Sequence, residues 1–157
     1  MGQMLELSAA EMESLLDEQV YGRLGCYDDG EVYVLPLIYV REGQVREGQV
    51  REGQVREGQS LYIMTTEGRK IQAMRKNPAV CFEVDEQERS TGNWRSVIVQ
   101  GQYEELGAED TTRALGLLSA RFGKRRPSTE PAPPAARPTL AFRIRILSAT
   151  GRAVRRA

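Results

Sequence analysis

The chain has 157 residues, with 22 lysines and arginines, 22 aspartates and glutamates, and no histidine, and this length fits a single domain with one hydrophobic core. The lack of histidine excludes serine–histidine–aspartate and cysteine–histidine catalysis and histidine-ligated zinc or haem, and two cysteines are too few for a four-cysteine metal site. A formal net charge of zero gives no support for nucleic-acid binding, and no apolar run approaches the roughly 20 residues of a membrane helix.

The N-terminal stretch contains no basic segment followed by an apolar one, so we expect no secretory signal and a cytoplasmic protein. In that compartment Cys26 and Cys81 are expected to be free thiols. Ser8 and Glu11 then fit a capping box, and Met12, Leu15 and Leu16 follow at helical spacing. These features predict a short amphipathic helix over 8–19.

Two strands are predicted next, one over 20–27 and one over 32–40. Asp28, Asp29 and Gly30 form the turn between them. Pro36 interrupts the second strand and removes one backbone donor, so this strand needs an edge position or a bulge.

The sequence VREGQ then occurs four times over 40–59. Each favourable Glu-to-Arg pair at i,i+4 would stabilise a helix by about 0.2–0.5 kcal/mol, but each interior glycine costs about 1 kcal/mol, so a helix is disfavoured. Without three of the copies, the sequence reads VYVLPLIYVREGQSLYIMTT, which is two strands joined by a short turn. We therefore predict a protruding hairpin or a loose loop that lies outside the active site.

The second half of the chain predicts four more strands and two more helices, which together suggest a small antiparallel barrel of six strands and three short helices. In order, these are a strand over 60–66, a helix over 68–76, strands over 79–85 and 94–106 with a bulge at Gly101, a helix over 109–122, and a strand over 139–148. Five of the seven prolines lie in 124–138, which predicts an extended, mobile loop.

Three segments could carry chemistry, and each has an ordinary structural alternative. Thr65, Thr66, Arg69 and Lys70 surround a strand-to-helix turn, which suits a phosphate group but also suits a plain junction with surface cations. An aromatic ring and a hydroxyl in the segment 94–101, Trp94 and Ser96, could flank a planar ligand, or the strand could simply belong to the core with Trp94 packed inside. Pro36 leaves neighbouring backbone groups open to a ligand, or marks an edge strand and nothing more.

The order in which three segments occur is more specific for a protein family than any one segment alone. VYVLPLIYV, then LYIMTTEGRKIQAMRKNPAVCFEVDE, then WRSVIVQGQYEEL resembles the pyridoxamine 5'-phosphate oxidase-related FMN-binding split-barrel family, in its flavin-nucleotide-binding and nitroimidazole-resistance-like branch. The resemblance covers nearly the whole chain except the repeat and the proline-rich loop, and it is strongest over 20–106.

The resemblance implies a single domain with a six-stranded antiparallel split barrel and short helices, and a homodimer with one FMN in each of two interface clefts. The residues that match the family's motifs fall into three groups. The phosphate would be held by Thr65, Thr66, Arg69 and Lys70, the flavin ring would lie along the backbone of Leu35, Pro36, Leu37 and Ile38, and Trp94, Arg95 and Ser96 would form the second ring-side strand.

Two departures from the family bear on activity. The C-terminus, GRAVRRA, lacks the Arg- and His-containing stretch of true pyridoxamine-phosphate oxidases, so vitamin B6 oxidation is not expected. The haem-degrading relatives rely on a histidine ligand and this chain has no histidine, so haem is not expected either. Deazaflavin stays open, because a phosphate pocket accepts both ligands. Tyr39 and Tyr62 are possible proton donors, although strand aromatics are more often packing residues.

These features predict an FMN-dependent oxidoreductase that acts on a small molecule of unknown identity, with no metal, nucleic acid or membrane partner. The alternative is a flavin carrier, sensor or storage module without turnover. A third hypothesis is an interaction protein whose repeat hairpin pairs edge-on with a partner.

Overall fold

The structure, a computed structural model, describes residues 2–42, 59–123 and 139–156. Within these residues there are eight strands and three helices: β1 (Gln3–Glu6), α1 (Ala9–Glu18), β2 (Tyr21–Asp28), β3 (Glu31–Ile38), β4 (Val40–Glu42), β5 (Ser60–Thr66), α2 (Arg69–Lys76), β6 (Ala79–Gln87), β7 (Trp94–Glu105), α3 (Ala108–Phe122) and β8 (Thr139–Arg155). Residues 43–58 of the repeat, which was predicted to form a protruding hairpin or a loose loop, and the predicted loop over 124–138 lie outside the described residues.

The strands form one antiparallel sheet in the order β3-β2-β6-β7-β8-β5-β4, and β1 pairs with β8. This architecture confirms the predicted fold class, but the described strands number eight rather than six. One extra strand is the short β1, and the other arises because the predicted strand over 32–40 divides at Tyr39. The Tyr39 N–H donates to Val20 O, and its buried hydroxyl donates to Leu16 O at 2.5 Å.

The first helix forms as predicted, because its N-terminal amides are satisfied locally. Ser8 Oγ accepts a hydrogen bond from the Glu11 N–H at 3.2 Å, and the Glu11 carboxylate accepts one from the Ser8 N–H at 3.3 Å. Leu15 and Leu16 are buried in the core. Among the described residues, no helix has both the length and the apolar character that crossing a bilayer would require.

The hairpin that joins β2 to β3 also follows the prediction. Asp28 pairs with Glu31, and the two residues between them both have positive φ angles, 50° at Asp29 and 95° at Gly30. Such a two-residue turn matches the right-handed twist of the strands. Pro36 lies on β3, which ends the sheet, so the predicted edge position is confirmed.

The last strand is longer than predicted. A bulge between Gln100 and Gly101 shifts the register of β7 against β8, as expected for Gly101. Beyond it, β8 continues from the predicted end at Ser148 to Arg155. The sequence obscured this extension because Gly151 interrupts the apolar alternation. A Cβ at Gly151 would lie 2.8 Å from Leu7 Cβ, so the glycine allows the N-terminal segment to pack directly on β8.

The curved sheet has a core side and an outward side. Leu24, Phe82 and Val99 point into the core with the buried residues of α1 and α2. Residues of opposite parity on β2 and β3 point outward, and most of them are apolar: Tyr21, Tyr27, Val32, Val34, Pro36 and Ile38. This outward side of the β2–β3 hairpin is called the apolar face below.

Candidate functional site

The N-terminus of α2 differs from those of the other two described helices, because its first turn carries two cations and no acidic residue. Gly68 occupies the N-cap position, no side chain caps the helix, and its first turn holds no acidic residue. The helix begins with Arg69 and Lys70, and only Glu67 and Gly68 separate it from the end of β5 at Thr66. Uncapped amides, the helix dipole and two cations favour an anion at this place.

Arg69 reaches from α2 to the β2–β3 hairpin. Its Nε donates to Asp28 Oδ2 at 2.5 Å, and its Nη2 donates to Glu31 Oε2 at 2.6 Å. The guanidinium carbon also lies 4.6 Å from the centroid of the Tyr33 ring. The hydrogen bonds to Asp28 and then to Glu31 raise the pKa of Arg69, so this side chain is a permanent cation held at the end of the hairpin.

The other three residues of the predicted phosphate group lie beside Arg69 in the chain. Lys70 Nζ is 3.5 Å from Thr66 O. Thr65 and Thr66 pair with Leu140 and Thr139 of β8, so both threonines end the strand that leads into α2. The structure therefore brings the four residues of this group together at one strand-to-helix junction.

The four residues predicted to lie along the flavin ring divide between the two sides of β3. Leu35 and Leu37 pack against the core, whereas Pro36 and Ile38 belong to the apolar face. In the described structure β3 pairs with β2 alone, and its other edge faces away from the ladder. Backbone groups on that edge can bind a planar ligand without breaking the sheet.

Arg69 joins these two groups into one candidate site. It contacts Tyr33, which precedes Leu35 by two positions on β3. The cationic junction and the edge strand are therefore continuous along the hairpin. A molecule with an anionic tail and a flat head could lie along this path, with its tail at α2 and its head at β3.

Trp94, Arg95 and Ser96 are not part of this path within one chain. They begin β7, three strands away from β3, which is about 14 Å at the usual strand spacing. They also pair with Gln87, Glu86 and Asp85 at the far end of β6 from the Arg69 hairpin. Arg95 donates to Glu86 at 2.6 Å and also pairs with Glu18 of α1. Trp94 lines a separate groove of about 470 Å³.

Comparison with known proteins assigns the chain to a family. A model of the pyridoxamine 5'-phosphate oxidase family matches residues 8–153. The chain belongs to this family. The match confirms the resemblance noted in the sequence, and it spans both the Arg69 junction and the Trp94 segment.

Two solved structures resemble this family member over nearly its whole length. A FAD-binding protein of Mesorhizobium loti is 28% identical, with a TM-score of 0.68, and the match covers 99% of this chain and 100% of that one. A proposed 5-nitroimidazole antibiotic resistance protein of Bacteroides thetaiotaomicron is 19% identical, with a TM-score of 0.68 and coverage of 98% and 91%. The second match shows the fold alone.

A curated relative is also similar in sequence. An uncharacterized protein of Rhizobium meliloti (strain 1021) is 30% identical over 102 residues, which are 65% of this chain. The matched region spans 57% of the length of that relative.

The two tyrosines offered as proton donors lie elsewhere in this oxidase-family chain. Tyr39 donates to a backbone carbonyl in the core, and burial raises the pKa of its hydroxyl. Tyr62 is buried beneath α3, where burial, followed by a hydrogen bond to Glu42, raises its pKa. Both are packing residues, as their strand positions suggested.

Sequence reasoning missed three residues of the site: Asp28, Glu31 and Tyr33. Two of them flank the turn, and all three contact Arg69, which is 36 to 41 positions later in the chain. The turn itself was visible in the sequence. The missing step was the position of α2 against the hairpin, which depends on the curvature of the whole sheet.

Proposed function

We propose that this protein binds a flavin mononucleotide, with the phosphate at the α2 N-terminus and the ring along the edge of β3. One observation carries the proposal: Arg69 begins an uncapped helix and at the same time contacts β3 through Tyr33. The cation and the open strand edge are thus held side by side. Thr65, Thr66 and Lys70 complete the polar end of the site.

The relatives support a flavin, and the choice among flavins is a separate question. The Mesorhizobium loti protein, which matches over the full chain, is described as FAD-binding. The site described here accounts for one phosphate group next to the ring, which FMN supplies. FAD adds a second phosphate and an adenosine, and a deazaflavin nucleotide also carries a phosphate group, so all three belong in the binding test.

We also propose that the apolar face binds a second copy of the chain. Val32 is 80% exposed and Val34 is 60% exposed on this face, and Ile98 and Leu147 extend the apolar area across β7 and β8. Exposed apolar areas of this kind are typical of an interface. Trp94 and Ser96 have outward parity on β7, so a partner related by a twofold axis could present them to the ring in the other subunit.

A bound flavin would supply the electron transfer, while the protein would supply binding and orientation. Arg69 and Lys70 would hold the phosphate, the backbone of 35–38 would fix the plane of the ring, and the dimer would limit access of water. On this basis the chain is an oxidoreductase for a small-molecule substrate. A carrier or sensor without turnover is the second candidate, because the described site offers no histidine and neither buried tyrosine.

The binding proposal is tested by titrating FMN into the purified protein and following the quenching of flavin fluorescence. We expect saturable binding by the wild type and binding at least tenfold weaker for Arg69→Gln. Arg75→Gln is the matched control, since Arg75 lies on the same helix and pairs with Glu67 and Glu105 instead of the hairpin. Equal losses in both variants, or no uptake by the wild type, would contradict the proposal.

Turnover is tested on the flavin-loaded protein with NADH and NADPH as reductants. Bleaching of the flavin absorption by either nucleotide, followed by reoxidation with a small-molecule acceptor, would support the oxidoreductase. Stable binding without reduction would favour the carrier.

A further inference from the structure

The cation proposed to hold the phosphate already has two anionic partners. Asp28 and Glu31 flank the β2–β3 turn, and their backbones are opposite each other in the strand register. Each side chain accepts a hydrogen bond from Arg69. Both bonds use the edge of the guanidinium group that carries Nε and Nη2. That edge presents two parallel N–H donors, an arrangement that can bind a phosphate group in a bidentate manner.

The two carboxylates differ in how firmly they are held. The Asp28 side chain is 24% exposed and the Glu31 side chain is 72% exposed, while that of Arg69 is 47% exposed. The ion pairs therefore lie at the surface, where such pairs are weak and reversible. A stronger anion that arrives at α2 can exchange with them without opening the core.

A phosphate and these carboxylates cannot share the same edge of Arg69 without repulsion. With all three anions on one guanidinium group, each carboxylate would lie about 6 Å from the phosphate. In a largely aqueous environment, one like charge at that distance weakens binding by about threefold. Opening of the ion pairs as the ligand binds would remove this repulsion.

We propose that Asp28 and Glu31 form a carboxylate latch on Arg69, which holds the cation on the hairpin in the free protein and is displaced by the ligand phosphate. The latch makes these two residues determinants of affinity and specificity, because a ligand without a phosphate has nothing to exchange for them. This inference rests on the proposed function of the same site. It adds the competitor that the phosphate has to displace.

The test compares FMN with riboflavin, which has the same ring and no phosphate. In Asp28→Asn and Glu31→Gln we expect FMN to bind about threefold more tightly, and about tenfold more tightly in the double variant, while riboflavin binding stays unchanged. Glu67→Gln is the matched control, because it removes one negative charge near the start of α2 from a residue that pairs with Arg75. It should alter FMN affinity by less than either latch variant.

Three results would overturn the latch. Weaker FMN binding in the variants would mean that the carboxylates position Arg69 for the ligand. Unchanged FMN binding, or an equal gain in Glu67→Gln, would remove the specific role of the two residues. Thermal melting of each variant shows that it is folded, and Glu31→Gln, which changes the more exposed side chain, provides the test if Asp28→Asn unfolds.

If the proposed function itself is wrong, the binding results differ from those that would contradict only the latch. In that case the wild type takes up neither FMN nor inorganic phosphate, and the latch has no ligand to exchange. If the wild type binds FMN but the variants lack the expected gain, only the latch is wrong.

Discussion

Ser8 shows how much a single residue contributes to this fold. Its side chain satisfies an amide at the start of α1, a helix whose apolar side lies in the core. Ser8→Ala should lower the free energy of unfolding by about 1 kcal/mol, as measured by urea denaturation. Ser14→Ala is the control, because Ser14 lies inside the same helix and bonds only Glu18 on the surface. An equal loss in both variants would contradict the role of the cap.

Glu11 gives the same cap a pH dependence. Hydrogen bonding to the Ser8 backbone N–H and then to the Ser8 side chain lowers the pKa of Glu11 in the folded protein. A carboxylate with a lowered pKa adds stability above its unfolded pKa of about 4.3, and this contribution is lost as the pH falls through the folded value.

Glu11→Gln should therefore destabilise the protein at pH 7, and the difference from wild type should become smaller as the pH is lowered from 7 to 3, below the unfolded pKa of about 4.3. Urea denaturation at both pH values measures it. A difference of the same size at both pH values would show that the charge of Glu11 is not involved.

At the scale of elements, the sequence predicts those helices, turns and strands that are determined by residues close together in the chain. The capping box places α1, Asp29 and Gly30 place the first turn, and the alternation of Phe142 with its neighbours places the first part of β8. These features depend on residues only a few positions apart. Their periodicity and turn preferences are therefore sufficient.

Other elements depend on contacts between distant segments. The short β1 exists because β8 offers it a partner, and β8 itself runs past Ser148 because Gly151 accommodates Leu7. The candidate site shows the same division. Its four junction residues are neighbours in sequence, but the approach of Arg69 to Asp28 and Glu31 requires the folded sheet.

The repeat provides a prediction at this scale. Glu42 pairs with Ser60, and the Gln59 side chain donates to buried Glu13 at 2.9 Å. Deletion of residues 43–57 would leave Gly58 and Gln59 between the paired residues, which is a two-residue turn with glycine first. We expect FMN affinity to be unchanged and the melting temperature to be equal or higher, because closing a shorter connection costs less entropy on folding.

The matched control deletes one residue more, 43–58. A single residue cannot close this hairpin, so β4 should detach from β5 and the melting temperature should fall. If both deletions behaved alike, or if the first abolished FMN binding, the repeat would be more than an expanded connection.

At the scale of the whole molecule, the proposed dimer depends on the apolar face. Val34→Glu places a charge at the centre of this face, where the side chain is already 60% exposed. We expect the variant to stay folded, to sediment as a monomer and to lose flavin affinity, whereas the wild type sediments as a dimer. Leu115→Glu, a similar change on α3 away from this face, should leave the dimer intact. A wild-type monomer would contradict this assignment.

The proposed function joins one ligand to one assembly, so a native mass spectrum of the freshly purified protein is its most direct test. We expect a species of two chains that carries two flavin nucleotides, either as isolated or after incubation with FMN, and a lower flavin occupancy in Arg69→Gln. A bare single chain that acquires no flavin mass at saturating FMN would contradict the central claim.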